Sequence, residues 1–244
     1  MSKQTAYVAW QDPEERDWHV IGRLEFEGEV YSFQYTKGCR QSNNFVAFSG
    51  MDDLDKTYFS KSLFPIFSNR VLSPKRPEYE KFLSWMGLDG GKATTMDLLV
   101  RSGGIRGTDR LELFPLLEEN EHAEIEYEFF VHGNRYLPES SSKRLSLLLQ
   151  GERLMACLDI QNPYDENAIY LRTENEPELL GYVPRYLSKE LAPILKDNPR
   201  SISFRVSLVS DDAPSEYKLL CQLSGSVNQA NDFMSSDEYQ PVSK

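Results

Sequence analysis

Hydrophobic and polar residues alternate in three short segments near the start of the chain. The alternation covers residues 6–10, 20–24 and 31–35, and acidic turns separate the segments. A period of two residues between turn signals is typical of strands. The pattern therefore predicts a three-stranded β-meander.

The hydrophobic pattern changes after residue 60. Residues 78–86 place apolar side chains at helical spacing, and Gly87 follows them as a stop signal. A second helix is predicted over residues 95–100, and a returning strand over 111–115. The first half of the chain is therefore expected to combine a sheet with short helices.

Two turns dominate the second half. A strand over residues 129–136 comes first, and the sequence Asn-Pro-Tyr-Asp-Glu-Asn at 162–167 then predicts a tight turn before a strand at 168–171. The sequence Gly-Tyr-Val-Pro-Arg at 181–185 predicts a strand end, followed by a helix that begins near Ser188. Turns this constrained are expected to project polar and aromatic groups from one rim of a small barrel.

With these motifs, residues 123–223 resemble the HIRAN domain. The resemblance implies a compact, mostly β barrel with a helix pair, which captures the free 3′ end of single-stranded DNA. It also implies eight binding residues: Arg135, Tyr136, Gln161, Asn162, Tyr164, Asp165, Tyr182 and Arg185. Gln161 stands where asparagine is usual in DNA-binding members, and Tyr182 where some members have histidine.

The implied site is chemically consistent with a single strand. Tyrosine rings stack on exposed bases, and arginines contact phosphates. A carboxylate at Asp165 can accept a hydrogen bond from a terminal hydroxyl, which a continuous strand lacks. Two alternatives stay open: Asp165 and Asn167 as turn residues alone, and Tyr164 as a core ring.

Residues 6–116 resemble the N-terminal subdomain of HipA-type kinases. The resemblance is in the order of a meander, a loop with Phe-Ser-Asn-Arg at 67–70, short helices and a closing strand that ends in Phe-Pro. That subdomain is not catalytic, and as a separate protein it binds and restrains the kinase in some toxin–antitoxin systems. The resemblance thus implies a partner-binding unit.

The predicted fold class is α+β, in three segments. Residues 1–118 form the kinase-subdomain-like module, and residues 122–223 form the HIRAN domain. Residues 224–244 lose apolar periodicity and are predicted to be disordered. The alternative for that tail is a short docking motif formed by Phe233-Met234 and Tyr239.

Two further features carry open alternatives. Arg70, Lys75 and Arg76 form a dense basic stretch, expected to be a solvated loop or a partner contact. Residues 101–108 are rich in arginine and glycine, and are either a phosphate cradle or a glycine helix stop.

The net charge of −11 restricts nucleic-acid binding. Residues 122–223 hold 11 Lys+Arg against 16 Asp+Glu, so the HIRAN-like segment is itself acidic. Duplex affinity depends on many cationic contacts that release counterions. A duplex-wrapping surface is excluded, whereas a short pocket for a strand end is not.

The sequence nominates no catalytic or cofactor site. The three cysteines and three histidines lie in no metal-ligand spacing, and no nucleophile elbow, kinase loop or dinucleotide fingerprint is present. No apolar run reaches the ~20 residues of a membrane span, and the polar start predicts no signal peptide. We therefore expect a cytoplasmic protein that is not an enzyme and needs no cofactor.

Together these features predict an antitoxin-like or regulatory partner of a HipA-type kinase whose HIRAN domain binds single-stranded DNA 3′ ends. One alternative is a DNA-repair or phage-defence accessory factor. Another is a barrel that serves only protein interaction. The sequence does not distinguish DNA from RNA or indicate an oligomeric state.

Overall fold

The chain folds into two compact units. The computed structural model describes residues 3–118, 120–121, 124–226 and 233–243. The first unit is built mainly from residues before 117 and a segment that begins at Met234, and the second mainly from the residues between. Each unit has its own sheet and helices, which confirms the α+β class. Among the described residues, no helix is long and apolar enough to cross a bilayer.

The sheet of the first unit has five antiparallel strands in the order β4-β3-β2-β1-β5. The strands are β1 (Gln4–Gln11), β2 (Trp18–Glu27), β3 (Val30–Tyr35), β4 (Tyr58–Ser60) and β5 (Leu111–Pro115). Strands β1 to β3 confirm the predicted meander, and β5 confirms the returning strand. The buried core includes Leu24, Phe33, Phe67, Leu99 and Leu113.

Three short helices connect β4 to β5. They are α1 (Pro65–Ser68), α2 (Tyr79–Met86) and α3 (Thr95–Arg101). Helix α3 begins at a capping box in which Thr94 and Asp97 satisfy each other's backbone N–H groups. Gly87, at φ +64°, follows α2. Helices α2 and α3 confirm the two predicted helices.

Arg70 is buried, so the prediction that it belongs to a solvated basic loop is wrong. Its side chain has no exposed surface. The guanidinium donates to the carbonyl oxygens of Ile66 at 2.9 Å and Gly104 at 2.8 Å, and to Asp109 Oδ2 at 2.6 Å. A planar guanidinium group can donate hydrogen bonds to three acceptors at one buried position. Lys75 and Arg76 are exposed, as predicted.

The glycine turn after α3 is a helix stop and not a phosphate cradle. Gly103 and Gly104 are buried at φ +67° and +56°. Their N–H groups, which a phosphate would need, donate to Val100 O and to Ser102 Oγ. Of the two alternatives for residues 101–108, the structure supports the helix stop.

The C-terminal segment packs on the first unit, so the prediction of a disordered tail is wrong for its described residues. Tyr239 is 2 % exposed and stacks edge-on against Tyr7, with 5.0 Å between ring centroids. Lys37 N donates to Gln240 O at 2.9 Å, and Val242 N donates to Tyr35 O at 3.0 Å. A few buried anchors therefore order a polar segment.

The prediction of disorder has a different outcome for the other residues of the tail. Residues 224–226 belong to a strand, and 227–232 and 244 lie outside the described residues. Burial of Met234 and Tyr239 removes two of the three side chains proposed as a docking motif.

The sheet of the second unit has six strands in the order β6-β11-β10-β7-β8-β9. They are β6 (Glu124–Phe130), β7 (Arg153–Leu158), β8 (Ile169–Thr173), β9 (Leu179–Tyr182), β10 (Ile202–Val209) and β11 (Leu219–Ser226). All neighbouring strands are antiparallel.

This sheet is a curled half-barrel, where the sequence predicts a small HIRAN-type β-barrel. In the part of the chain that the structure describes, one bridge joins its edges, and in it His132 and Tyr182 exchange two backbone hydrogen bonds of 2.8 Å. Gly181, at φ +132°, is required there because a Cβ atom would lie 2.3 Å from His132 O. The contact between the two edges of the sheet is short because β6 ends at Phe130 and the chain turns at Gly133, φ +81°.

Among its described residues, the second unit has two α-helices, as predicted. They are α4 (Glu139–Ser146) and α5 (Arg185–Asp197). Helix α5 begins at Arg185, three residues before the predicted start, and Pro184 is its N-cap residue. Its buried side includes Leu187, Leu191 and Leu195. The earlier start places Arg185 at the helix N-terminus.

Candidate nucleic-acid interface

The first turn is held by side chains that bond to its own backbone. Asn162 Oδ1 accepts from Tyr164 N at 3.0 Å and Asp165 N at 3.1 Å. Asp165 Oδ1 accepts from Asn167 N at 2.9 Å. Such bonds are typical of Asx turns. Tyr164 extends outward from this turn with 75 % of its surface exposed, which contradicts the alternative of a core ring.

The second turn is linked to the first through Arg185. Arg185 Nη2 donates to Tyr164 O at 2.8 Å. Arg185 Nε lies 3.7 Å from Asp165 Oδ2, and both side chains keep some exposure. Asp165 therefore has a second role beyond capping its turn. The cation fixes the two turns relative to each other and remains at the surface of the cleft.

Tyr182 provides another link between the turns. Its hydroxyl donates to Asp159 Oδ2 at 3.0 Å. Burial raises the pKa of Tyr182, and its hydrogen bond to Asp159 and the charge of that carboxylate add to the effect. The hydroxyl thus stays protonated well above neutral pH.

Arg135 and Tyr136 lie on a 3₁₀ turn after β6, not on the strand where the sequence predicted them. The Arg135 guanidinium carbon lies 4.6 Å from the centroid of the Tyr136 ring, a cation–π geometry. Tyr136 is 75 % exposed. The turn therefore supplies an exposed aromatic platform backed by a cation.

Six of the eight predicted residues line one pocket of about 400 Å³. They are Tyr136, Asn162, Tyr164, Asp165, Tyr182 and Arg185. Arg135 and Gln161 are exposed and lie outside the lining, although Arg135 contacts Tyr136. Residues far apart in sequence thus converge because the second turn and the segment after Gly133 meet at the His132–Tyr182 bridge.

The sequence-based prediction missed the apolar part of the lining. Leu137, Ala168, Leu179 and Val183 belong to the pocket, together with His132, Gly133 and Gly181. In a sequence, apolar pocket residues within or beside strands have the same pattern as core residues, so no signal distinguishes the two groups. Gly181 did carry a signal, because it stands inside a strand pattern where close backbone approach is typical.

Residues 125–228 match the family model of the HIRAN domain. The match confirms the HIRAN resemblance predicted for residues 123–223 and identifies this segment as a HIRAN domain. It does not extend to residues 6–116, so the kinase-subdomain resemblance there stays a prediction. No curated protein matches the chain.

Two solved structures are similar to part of the chain. A protein from Lactobacillus plantarum shares 24% identity over 42% of this chain and 96% of its own, with a TM-score of 0.34. The HIRAN domain of human HLTF shares 19% identity over 49% of this chain and 93% of its own, also with a TM-score of 0.34.

Proposed function

We propose that the HIRAN domain of this protein binds the 3′ end of single-stranded DNA in the pocket between its two turns. The observation that carries the proposal is the convergence of three tyrosines, a cation and a carboxylate on one pocket of about 400 Å³. Single strands are bound by stacking on aromatic rings and by cationic contacts to the backbone. The pocket offers both within one small volume.

The exposed rings support a stacking role. Tyr136 and Tyr164 each expose 75 % of their surface beside the pocket, although large aromatic side chains are usually much more buried. Their exposure leaves ring surface accessible to bases. A volume of about 400 Å³ lies within the ordinary range of small-ligand sites, roughly 300–1,000 Å³. Such a volume suits a strand terminus and is too small for a duplex.

The charges favour a terminus over an internal segment. Arg185 is the cation in the lining, and Asp165 stands beside it. A carboxylate accepts a hydrogen bond from a terminal hydroxyl but repels a phosphate in the same place. The acidic domain supplies little long-range attraction, so affinity must come from these local contacts.

The end chemistry of the oligonucleotide tests the proposal. We expect a single strand with a 3′-hydroxyl to bind about tenfold more tightly than the same strand with a 3′-phosphate, equivalent to about 1.4 kcal/mol. Fluorescence anisotropy of 5′-labelled strands at low salt gives both dissociation constants. Equal binding of the two strands, or no binding of either, would refute end capture.

Tyr164→Ala tests the stacking platform. We expect affinity for the 3′-hydroxyl strand to fall about tenfold, because a stacked base contributes about 1–3 kcal/mol. Because the ring is exposed, we expect its removal to leave the fold unchanged. Phe59→Ala is the matched control, since Phe59 is 71 % exposed on β4 of the other unit. The same loss in both variants would remove Tyr164 from the site.

We further propose that the first unit binds a HipA-type serine/threonine kinase, which would make the protein an antitoxin-like or regulatory partner. The support is its order of elements: a meander, three short helices and the closing strand β5. Co-purification with a kinase that lacks its own N-terminal subdomain tests this idea. If no such kinase co-purifies, we favour the alternative of a repair or defence factor whose first unit recruits an effector.

A further inference from the structure

Asp159 lies directly behind the pocket at the base of the first turn. It follows β7, and its backbone is fixed on both sides. Asp159 N donates to Ala168 O at 2.8 Å, and Asp159 O accepts from Asn162 N at 3.0 Å. These bonds fix the main chain of Asp159 at the base of the turn.

One oxygen of Asp159 joins the two turns. Asp159 Oδ2 accepts from Asn162 Nδ2 at 3.0 Å and from the Tyr182 hydroxyl at 3.0 Å. Asn162 comes from the first turn and Tyr182 from the second, and both line the pocket. Hydrogen bonds to a charged acceptor are stronger than those between neutral groups.

These bonds determine which hydrogen-bonding groups the pocket presents. A tyrosine hydroxyl has one hydrogen, and in Tyr182 it is directed to Asp159. The Tyr182 oxygen can therefore only accept from a ligand. Asn162 Oδ1 accepts two backbone N–H groups, so its amide cannot flip, and its second Nδ2 hydrogen is directed away from Asp159.

We propose that Asp159 is a positioning residue that fixes Tyr182 as an acceptor and Asn162 as a donor for the bound strand end. The inference rests on the proposed binding of a 3′ end. Positioning and simple electrostatics predict opposite effects on binding when the Asp159 carboxylate is removed. A carboxylate behind a site for a polyanion repels its ligand, so charge alone predicts that its removal strengthens binding. Positioning predicts that its removal weakens binding.

Whether Asp159→Asn weakens or strengthens binding of the strand decides between these two explanations. We expect the dissociation constant for a 5′-labelled deoxythymidine decamer with a 3′-hydroxyl to rise about tenfold, because the neutral amide oxygen of asparagine accepts the two hydrogen bonds more weakly than a carboxylate does. Glu166→Gln is the matched control, because it removes one negative charge from the exposed part of the same turn. We expect Glu166→Gln to bind as tightly as the unmodified chain or slightly more tightly.

A spectroscopic readout tests the contact between Asp159 and Tyr182 directly. In Asp159→Asn the carboxylate no longer raises the pKa of Tyr182, so that pKa should move down towards the ordinary tyrosine value. Ultraviolet titration, with Tyr182→Phe to assign the signal, measures this change. An unchanged Tyr182 pKa would overturn the inference.

Tyr182→Phe tests whether Asp159 acts through Tyr182. It removes one of the two bonds to Asp159 and keeps every charge. We expect Asp159→Asn to cost less affinity in a Tyr182→Phe background than in the unmodified chain, as coupled residues require. Additive losses, or tighter binding by Asp159→Asn, would overturn the inference. Equal binding of 3′-hydroxyl and 3′-phosphate strands by the unmodified chain would instead refute end capture.

Discussion

Replacing Arg70 with alanine is expected to destabilise the first unit by about 3 kcal/mol. The change removes three hydrogen bonds, to Ile66 O, Gly104 O and Asp109. Buried Gly104 O would lose this donor, and the space of a fully buried side chain would be left empty. Urea unfolding followed by tryptophan fluorescence measures the loss as a lower midpoint.

Two variants control the Arg70 prediction. Arg76→Ala changes an exposed arginine in the same basic stretch, and its midpoint should stay within the usual range for surface changes, about 0.5 kcal/mol. Arg70→Lys keeps the charge but has no planar fork, so it should recover less than half of the loss. Equal midpoints for Arg70→Ala and Arg76→Ala would contradict the role of Arg70 as a buried link.

Tyr239→Ala is expected to destabilise the first unit by about 3 kcal/mol, because truncating a buried aromatic side chain leaves a cavity. Tyr239 is 2 % exposed and packs against Tyr7 in β1. Core residues Ala6 and Val8 alternate with Tyr7 and Ala9 along this strand, and all four are buried. Loss of Tyr239 would therefore expose an apolar strand face to water.

The neighbouring residue provides the control for Tyr239. Gln240 is exposed, and Gln240→Ala should leave the unfolding midpoint nearly unchanged. Removal of the chain after residue 232 should cost at least as much stability as Tyr239→Ala. A truncated chain that is as stable as the full one would show that the C-terminal segment is not part of the first unit in solution.

Local signals predicted most secondary structure correctly. The alternation in β1 to β3, the helical spacing in α2 and the glycine stop after α3 all act within a few residues of each other. The two turns of the pocket were also predicted, because Asn162, Asp165 and Pro184 impose backbone geometry through short-range effects. The sequence alone therefore places their side chains on one rim.

The errors concern contacts between distant residues. The polar composition of the tail hides the burial of Tyr239, which depends on Tyr7 more than 200 positions away. Arg70 looked solvated because its acceptors at Gly104 and Asp109 are remote in sequence. Asp159 was not singled out because its partner Tyr182 comes from another turn. Periodicity carries no information about such pairs.

The most direct test of end capture is a crystal structure of the chain with a short single-stranded oligonucleotide that ends in a 3′-hydroxyl. We expect the terminal nucleotide in the pocket, with a base against Tyr136 or Tyr164 and the sugar hydroxyl within hydrogen-bond distance of Asp165. A strand bound on another face of the half-barrel, or bound through internal phosphates with its 3′ end outside the pocket, would contradict the proposed function.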